Sequence, residues 1–184
     1  MSVCCNYKDK MIYTGGHDGS LISWSMETGS AKRYLHDKDA TCLSTDPDPT
    51  LAIRDSKSVD ALLILEKREK LLSMSADQWL RFWSLDELTT DDQPSFRFHC
   101  KHPDDDQLSA CAVTEDNNTL VTGDTSGQLK IWDITHVDLD DRSTANHFIE
   151  KVFIIAHRAL INTIQIVEEP AIKTDRFIIT SSLD

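Results

Sequence analysis

A short grammar that returns four times constrains this chain more than any other feature. At Val121 to Asp133 the run VTGDTSGQLKIWD ends one β-branched stretch, turns through Gly123 to Gly127, and resumes as Leu129-Lys130-Ile131-Trp132. That is the pattern of two antiparallel strands joined by a tight turn. Ile12 to Ser25 (IYTGGHDGSLISWS), Leu71 to Ser84 (LLSMSADQWLRFWS) and Phe177 to Asp184 (FIITSSLD) fall on the same frame. Each copy holds Ser or Thr near the end of its first strand, at Thr14, Ser73, Thr122 and Thr180. The complete copies end their second strand in Trp24, Trp83 and Trp132.

A further strand precedes each copy, and its apolar spacing supports the register independently. Val59, Leu62 and Ile64 lie ahead of the second copy, Leu108, Cys111 and Val113 ahead of the third, and Ile161, Ile164 and Ile166 ahead of the fourth. All three sets share one spacing, i, i+3, i+5, whose last step is strand alternation. Val3-Cys4-Cys5 takes this place in the first copy. Asp60 to Leu72 has helical propensity, but its match to the other preceding strands makes it strand. Ala31 to Leu35, Ser95 to Cys100 and Phe148 to Ile155 supply a fourth strand per unit. His36 to Lys57 (with DPDP at Asp46 to Pro49), Glu87 to Pro94 and Asp133 to Asn146 read as polar surface loops from their Pro, Asp and Ser content.

The units resemble WD-repeat β-propellers, in which four-stranded blades stack radially about a channel. The matching residues are IWD at Ile131 to Asp133, the degenerate forms FWS at Phe82 to Ser84 and SWS at Ser23 to Ser25, and the turn aspartates Asp18, Asp77 and Asp184. The resemblance covers nearly the whole chain. It implies a buried network in which the turn Asp, a His near the preceding strand, the strand Ser/Thr and the Trp indole bond to one another. On this frame His157 joins Thr180 and Asp184, and His102 sits slightly too far ahead of the third unit. Ser126 stands where that unit's turn Asp belongs, and units one and two show no His. The expectation is that no unit completes the network, and that blades one and two hold by packing more than by polar ties. The fold expected is all-β, an incomplete WD-repeat β-propeller of about three and a half four-stranded blades in an open ring. Its expected parts are blade one at 1–35, a linker at 36–57, blade two at 58–100, blade three at 101–155 and the start of a fourth at 156–184.

Charge and cysteine usage narrow the function. Nineteen basic against 31 acidic residues give a net charge of −12, which opposes binding to nucleic-acid phosphates or an anionic membrane surface. The basic cluster Glu66 to Lys70 (EKREK) reads as a solvated turn. Cys4, Cys5, Cys42, Cys100 and Cys111 are odd in number and scattered, a poor disulfide framework that suits a reducing compartment. MSVCCNYKDK has no basic region leading into an apolar core, so neither a secretory nor an organelle signal is expected.

Candidate chemistry is sparse. His99-Cys100-Lys101-His102 clusters three ligand types, yet no second pair completes a zinc set and neighbours on a strand face opposite ways. Asp104 to Asp106 and Asp138 to Asp141 lack the spacing of a calcium loop. Gly123 to Gly127 leads into a strand and has no GKS/T after it, which argues against a phosphate loop. No GxSxG elbow or recognisable catalytic cysteine occurs. The three strand-end tryptophans are read as blade core. Trp79, beside Asp77 where other copies carry Ser20 and Gln128, is the candidate partner contact.

The resulting expectation is a non-catalytic protein-interaction scaffold, without cofactor or metal. It would be part of a larger multi-blade protein, with the remaining propeller blades missing from this chain, and recognise protein partners with basic surfaces. The alternatives are a metal-dependent or hydrolytic enzyme on a propeller, or a phospho-peptide or substrate receptor. The eight arginines do not recur from blade to blade, as a phosphate reader would require. A cytoplasmic location is expected, and the long acidic loops are similar to those of multi-propeller proteins of the cilium and axoneme.

Overall fold

The computed structural model describes residues 2–35, 58–75, 77–85, 94–103, 106–168 and 176–184. The linker at 36–57 with Cys42 and the Asp46 to Pro49 run, most of the Glu87 to Pro94 stretch, and Asp104 and Asp105 lie outside them. The described strands are β1 (Ser2–Asn6), β2 (Met11–Gly15), β3 (Ser20–Ser25), β4 (Ala31–Leu35), β5 (Val59–Leu65), β6 (Lys70–Ser75) and β7 (Trp79–Ser84). They continue as β8 (Phe96–His99), β9 (Leu108–Val113), β10 (Thr119–Asp124), β11 (Gln128–Asp133), β12 (Ile149–Ile155), β13 (Ile161–Glu168) and β14 (Arg176–Ser182). They make three four-stranded antiparallel sheets in chain order and a two-stranded sheet, β13-β14. These sheets are blades of an open propeller, with β1, β5, β9 and β13 innermost and each against the next.

The i, i+3, i+5 spacing has a physical cause in the ladder. In β5, Val59 pairs with Ser75 and Ala61 with Met74, so Asp60 is an extra residue. Ser109 is skipped in the same way in β9, and Asn162 in β13. One bulged residue shifts the two-residue alternation by one, which returns position i+3 to the face of position i. The trio of each blade then points at the blade before it. Val59, Leu62 and Ile64 pack with Tyr13, Leu21 and Tyr34 of blade one. Leu108, Cys111 and Val113 pack with Leu72, Met74 and Leu80 of blade two, and Ile161, Ile164 and Ile166 with Ala110, Val121 and Leu129 of blade three. The core is therefore three separate seams, one per blade junction.

Glycine admits the first residue of a trio where the backbones approach most closely. A Cβ at Gly15 would lie 2.6 Å from Val59 Cγ1, and one at Gly123 would lie 3.0 Å from Ile161 Cδ1. The seam between blades two and three is the largest and the most aromatic. Phe98 stacks on Phe148 at 3.8 Å between ring centroids, and Phe96 and Phe82 extend the stack. Each buried ring contributes about 1.5–3 kcal/mol by leaving water.

Two loop expectations are corrected by this seam. The Asp133 to Asn146 stretch is not a free surface loop, because Ile134, Val137 and Leu139 are buried in the seam. The second half of it winds into a 3-10 turn, Arg142–His147, whose first turn is capped by the Asp141 carboxylate. The EKREK turn is not simply solvated either. Arg68 donates to the Ile134 and Val137 carbonyls at 2.7 and 2.9 Å and to Asn118 Oδ1 at 3.2 Å. Lys70 is buried in β6 and pairs with Asp140 of blade three. A basic residue with a long apolar stem can reach across a seam that its sequence neighbours do not cross.

Contacts of this kind recur on one face of the array. Lys8 in the β1–β2 turn pairs with Glu69 in the β5–β6 turn. The Lys67 amide donates to Asn117 Oδ1 in the β9–β10 turn, and Asp116 beside it pairs with Arg176 of β14. The first hairpin of each blade is thus tied to that of the next.

Candidate functional site

The repeated Ser/Thr and Trp residues sit on neighbouring strands of one blade face, two ladder positions apart. Trp24, Trp83 and Trp132 pair with Ile12, Leu71 and Leu120. Each indole N–H then reaches the hydroxyl two residues further along. Trp24 donates to Thr14 Oγ1 at 3.0 Å, Trp83 to Ser73 Oγ at 2.8 Å and Trp132 to Thr122 Oγ1 at 3.0 Å. Trp83 is 1% and Trp132 6% exposed, but Trp24 is 38% exposed. The expectation of blade core fails for Trp24, because no described blade packs on the outer side of blade one to cover it.

Blade three completes the network, contrary to expectation. His102 Nδ1 donates to Asp124 Oδ2 at 2.7 Å, and His102 Nε2 lies 3.0 Å from Thr122 Oγ1. All three residues are fully buried. The acid is Asp124, at the end of β10, and not position 126. Its other oxygen accepts the Ser126 and Gln128 amides, so it also closes the turn. The bulge at Gly123/Asp124 lets this carboxylate reach His102. The Thr122 hydroxyl is shared by the indole, His102 and, at 3.4 Å, Cys100 Sγ.

The other blades arrange their acids differently. In blade four, His157 Nδ1 donates to Asp184 at 3.1 Å and its Nε2 lies 2.8 Å from Thr180 Oγ1. The Arg158 amide, bonded to its other oxygen, holds the Asp184 carboxyl below its ordinary pKa. In blades one and two an arginine takes the place of the His. Asp77 pairs with Arg81 at 2.8 Å, both side chains buried, and Asp18 with Arg33 at 2.7 Å, both more than half exposed. Blade two therefore has a buried polar tie as well as packing, which corrects the expectation for it. No His spacing signals this pair, because the guanidinium comes from the strand after the turn and not from the segment before the blade.

The potential metal and nucleophile groups point apart. His99 lies exposed on β8, its ring 4.8 Å from that of Trp79, while Cys100 and His102 turn into the Thr122 site. Among the described residues no three His, Cys, Asp or Glu side chains gather as a metal set. Burial pushes the Cys100, Cys111 and Cys4 thiols up to about 12, so the reactive thiolate is suppressed at neutral pH. In the Asp138 to Asp141 cluster, Asp138 Oδ1 accepts the Asp140 amide, Asp140 pairs with Lys70 and Asp141 caps the turn after it.

What remains outward is a set of surfaces. Trp79 begins β7 at 37% exposure beside His99. A pocket of about 90 Å³ between the first hairpins of blades one and two is lined by Asp9, Glu66, Glu69 and Lys8, an acidic balance. The strand β12 exposes Val152, Phe153, Ile154 and Ile155, where β4 and β8 carry fewer apolar groups. The sequence pattern of Phe148 to Ile155 shows the strand but not that its faces stay open.

Comparison with known proteins meets this geometry at blade three. The model of the "WD domain, G-beta repeat" family matches residues 94–133. A rice protein (Oryza sativa subsp. japonica) named U3 snoRNP-associated protein-like YAOH is 27% identical over 73 residues, covering 40% of this chain and 14% of that protein. Among solved structures, the computationally designed Ika8 protein aligns with a TM-score of 0.63 at 15% identity, over 98% of this chain and 42% of its own. The designed Ika4 protein aligns at 0.60 and 14% identity, over 100% of this chain and 90% of its own. At such identities the two designs speak for the fold alone. The matched segment runs from β8 through β11 and contains His102, Thr122, Asp124 and Trp132, so the one blade with a complete polar network is also the one the family profile detects. Residues 94–133 thus match a WD repeat, set in an array of stacked four-stranded blades that forms an incomplete propeller.

Proposed function

We propose that this chain is a non-catalytic scaffold that binds other proteins through the exposed rim and turns of its blades. WD-repeat proteins typically act as protein-interaction scaffolds, and the finer reading rests on how the polar groups are used. Asp77, Asp124, His102 and His157 bond within their own blades, while the aromatic pair Trp79–His99 faces solvent. That exposed pair on a rigid hairpin is the observation that carries the proposal, since large aromatics on rigid elements dominate binding surfaces. The net charge of −12 and the acidic pocket between blades one and two favour a partner with a basic surface.

The rice relative's name associates that protein with a ribonucleoprotein particle. Carried to this chain, it supports a scaffold role inside such a particle, with the particle's basic proteins rather than its RNA as the contact, because phosphate repels the acidic surface. The cysteine chemistry supports a reducing, cytoplasmic or nuclear compartment. An axonemal location has only the style of the loops behind it.

The test is binding of Lys/Arg-rich, neutral and acidic peptides to the immobilised chain at low and high salt. The basic peptides should bind, with an association rate that falls as salt rises. Trp79→Ala should speed their dissociation by about tenfold or more. No preference for basic peptides, or no effect of Trp79→Ala, would refute the assignment. Stoichiometric tight zinc or calcium in calorimetry would favour the enzyme alternative.

A further inference from the structure

The turns joining the first two strands of blades one and two match residue for residue. Asn6 pairs with Met11 around Tyr7-Lys8-Asp9-Lys10, and Leu65 with Lys70 around Glu66-Lys67-Arg68-Glu69. Lys10 and Glu69 both take the left-handed conformation, at φ 54° and 51°, so Asp9 stands in blade one where Arg68 stands in blade two. The following blades match as well. The Leu85 amide donates to the Glu69 carbonyl, and the Ile134 amide to the Asn118 carbonyl. Leu85 and Glu69 of blade two therefore occupy the places of Ile134 and Asn118 in blade three.

At the junction of blades two and three these places are joined by one side chain. Arg68 Nη2 donates to the Ile134 carbonyl at 2.7 Å and to Asn118 Oδ1 at 3.2 Å. At the junction of blades one and two the donor is absent, because Asp9 cannot supply a guanidinium and its carboxylate turns back to Asn6 Nδ2 at 2.7 Å. The receiving side is kept, and Glu69 puts a full negative charge where Asn118 has an amide oxygen. Between the two turns lies the pocket of about 90 Å³, walled by Ile64 and Leu85 beside Glu66, Glu69 and Asp9. Small-molecule sites run to about 300–1,000 Å³, so this one suits a single side chain. An apolar wall that leads to acceptors fits a methylene stem with a cationic tip. Lys8 does not fill it, since its ammonium meets Glu69 only at 3.5 Å with both side chains more than half exposed.

We propose that this pocket is a socket for an arginine side chain of a basic protein partner, its guanidinium held by Glu69 and the Leu85 carbonyl as Arg68 is held by Asn118 and the Ile134 carbonyl. The pointer to the ligand is Arg68 itself, seated at the equivalent place one junction along; the acidic balance sets only the sign of the charge. The proposal deepens the scaffold reading and rests on it. Lysine is the poorer fit, because a compact ammonium does not reproduce the planar fork that meets two acceptors on different turns. Within the chain, Arg33, Arg81, Arg142 and Arg176 are engaged elsewhere. Both walls of the socket are described, one from each blade, and the exposed Glu66 and Glu69 leave it open to solvent.

The test measures binding of two Lys-rich peptides, alike but for one central Arg or Lys, to the 184-residue chain by fluorescence anisotropy. The Arg peptide should bind about five- to tenfold more tightly. Glu69→Gln alters an exposed side chain, should leave the thermal melt unchanged and should cut that preference to about twofold or less. Asp9→Arg, which supplies from the chain the group that Arg68 supplies one junction along, should abolish it. Equal binding of the two peptides to the parent chain, or a preference that Glu69→Gln leaves intact, would overturn the proposal. So would tighter binding of the Arg peptide by Arg54→Ala, which assigns the socket to that residue outside the described ones, or loss of the preference in the protein isolated from its source, which assigns it to a segment in cis. The scaffold reading fails separately: equal binding that still weakens with salt and with Trp79→Ala sinks the socket alone, whereas no binding of either peptide sinks both.

Discussion

Replacing Thr122 with Val tests whether the blade-three network carries energy or only accompanies packing. The change keeps the shape of the side chain and removes one hydroxyl. Trp132 then loses the acceptor for its indole N–H, and His102 Nε2 loses its bond to the same hydroxyl, in a site where His102, Thr122 and Asp124 are fully buried. Each stranded group costs about 1–3 kcal/mol, so the gross loss is about 2–6 kcal/mol. Relief from burying the hydroxyl itself returns about 1 kcal/mol, which leaves about 1–5 kcal/mol. Thr14→Val removes the same kind of bond in blade one, but Trp24 is 38% exposed and water can take its N–H. That change should cost about 0.5–1 kcal/mol. Urea unfolding of both variants measures the difference, read as a shift of midpoint at constant slope. Equal midpoint shifts for the two variants would refute the reasoning and assign the stability of blade three to apolar contact alone.

Four other substitutions or treatments probe separate links. Arg68→Ala, which severs three bonds from the blade-two turn to blade three, should cost about 1–3 kcal/mol in the same unfolding assay; Arg68→Lys should not restore it, since an ammonium cannot span the two carbonyls and Asn118 together. Gly15→Ala should destabilise by about 1–3 kcal/mol because its Cβ meets Val59 of the next blade at 2.6 Å. Asp116 is held at about 2, where burial raises its pKa but bonds from Thr114, Asn118 and Arg176 outweigh that. Its stabilisation is therefore complete above the unfolded carboxylate value of about 3.9 and is lost as pH falls toward about 2; Asp116→Asn should flatten acid unfolding in that window. Iodoacetamide near neutral pH should label exposed Cys5 well before Cys4, Cys100 or Cys111, by mass spectrometry, because burial raises the last three to about 12.

The strand frame was legible because side-chain period and turn chemistry are local. Thr14, Ser73, Thr122 and Trp24, Trp83, Trp132 land on paired strands in the register their spacing implies. Even the odd i, i+3, i+5 spacing was visible, although its cause, a bulge after the first residue, is a property of the ladder and not of one strand. Long-range reach was not legible. Nothing local to EKREK tells that Arg68 meets carbonyls 66 and 69 residues away, or that Ile134, Val137 and Leu139 pull an acidic stretch into a seam.

The displaced aspartate shows most clearly why a motif frame falls short of a site. A frame counts residues from the Trp and finds Ser126. The physics asks only that a carboxylate oxygen lie within bonding distance of His102 Nδ1 while its partner oxygen accepts the turn amides. Asp124 meets both demands from two residues earlier. Blade two meets the charge demand by another route, with Arg81 in place of an imidazole beside Asp77. A buried acid needs a cationic or N–H partner, and the fold accepts whichever side chain geometry brings there. It follows that Ser126→Asp should not strengthen blade three. The added carboxylate would face Asp124 across one turn without an imidazole to share, and like charges at that distance repel. Thermal melting of Ser126→Asp against the parent decides the point: a rise in melting temperature would mean that the ordinary turn position still has a use for the acid.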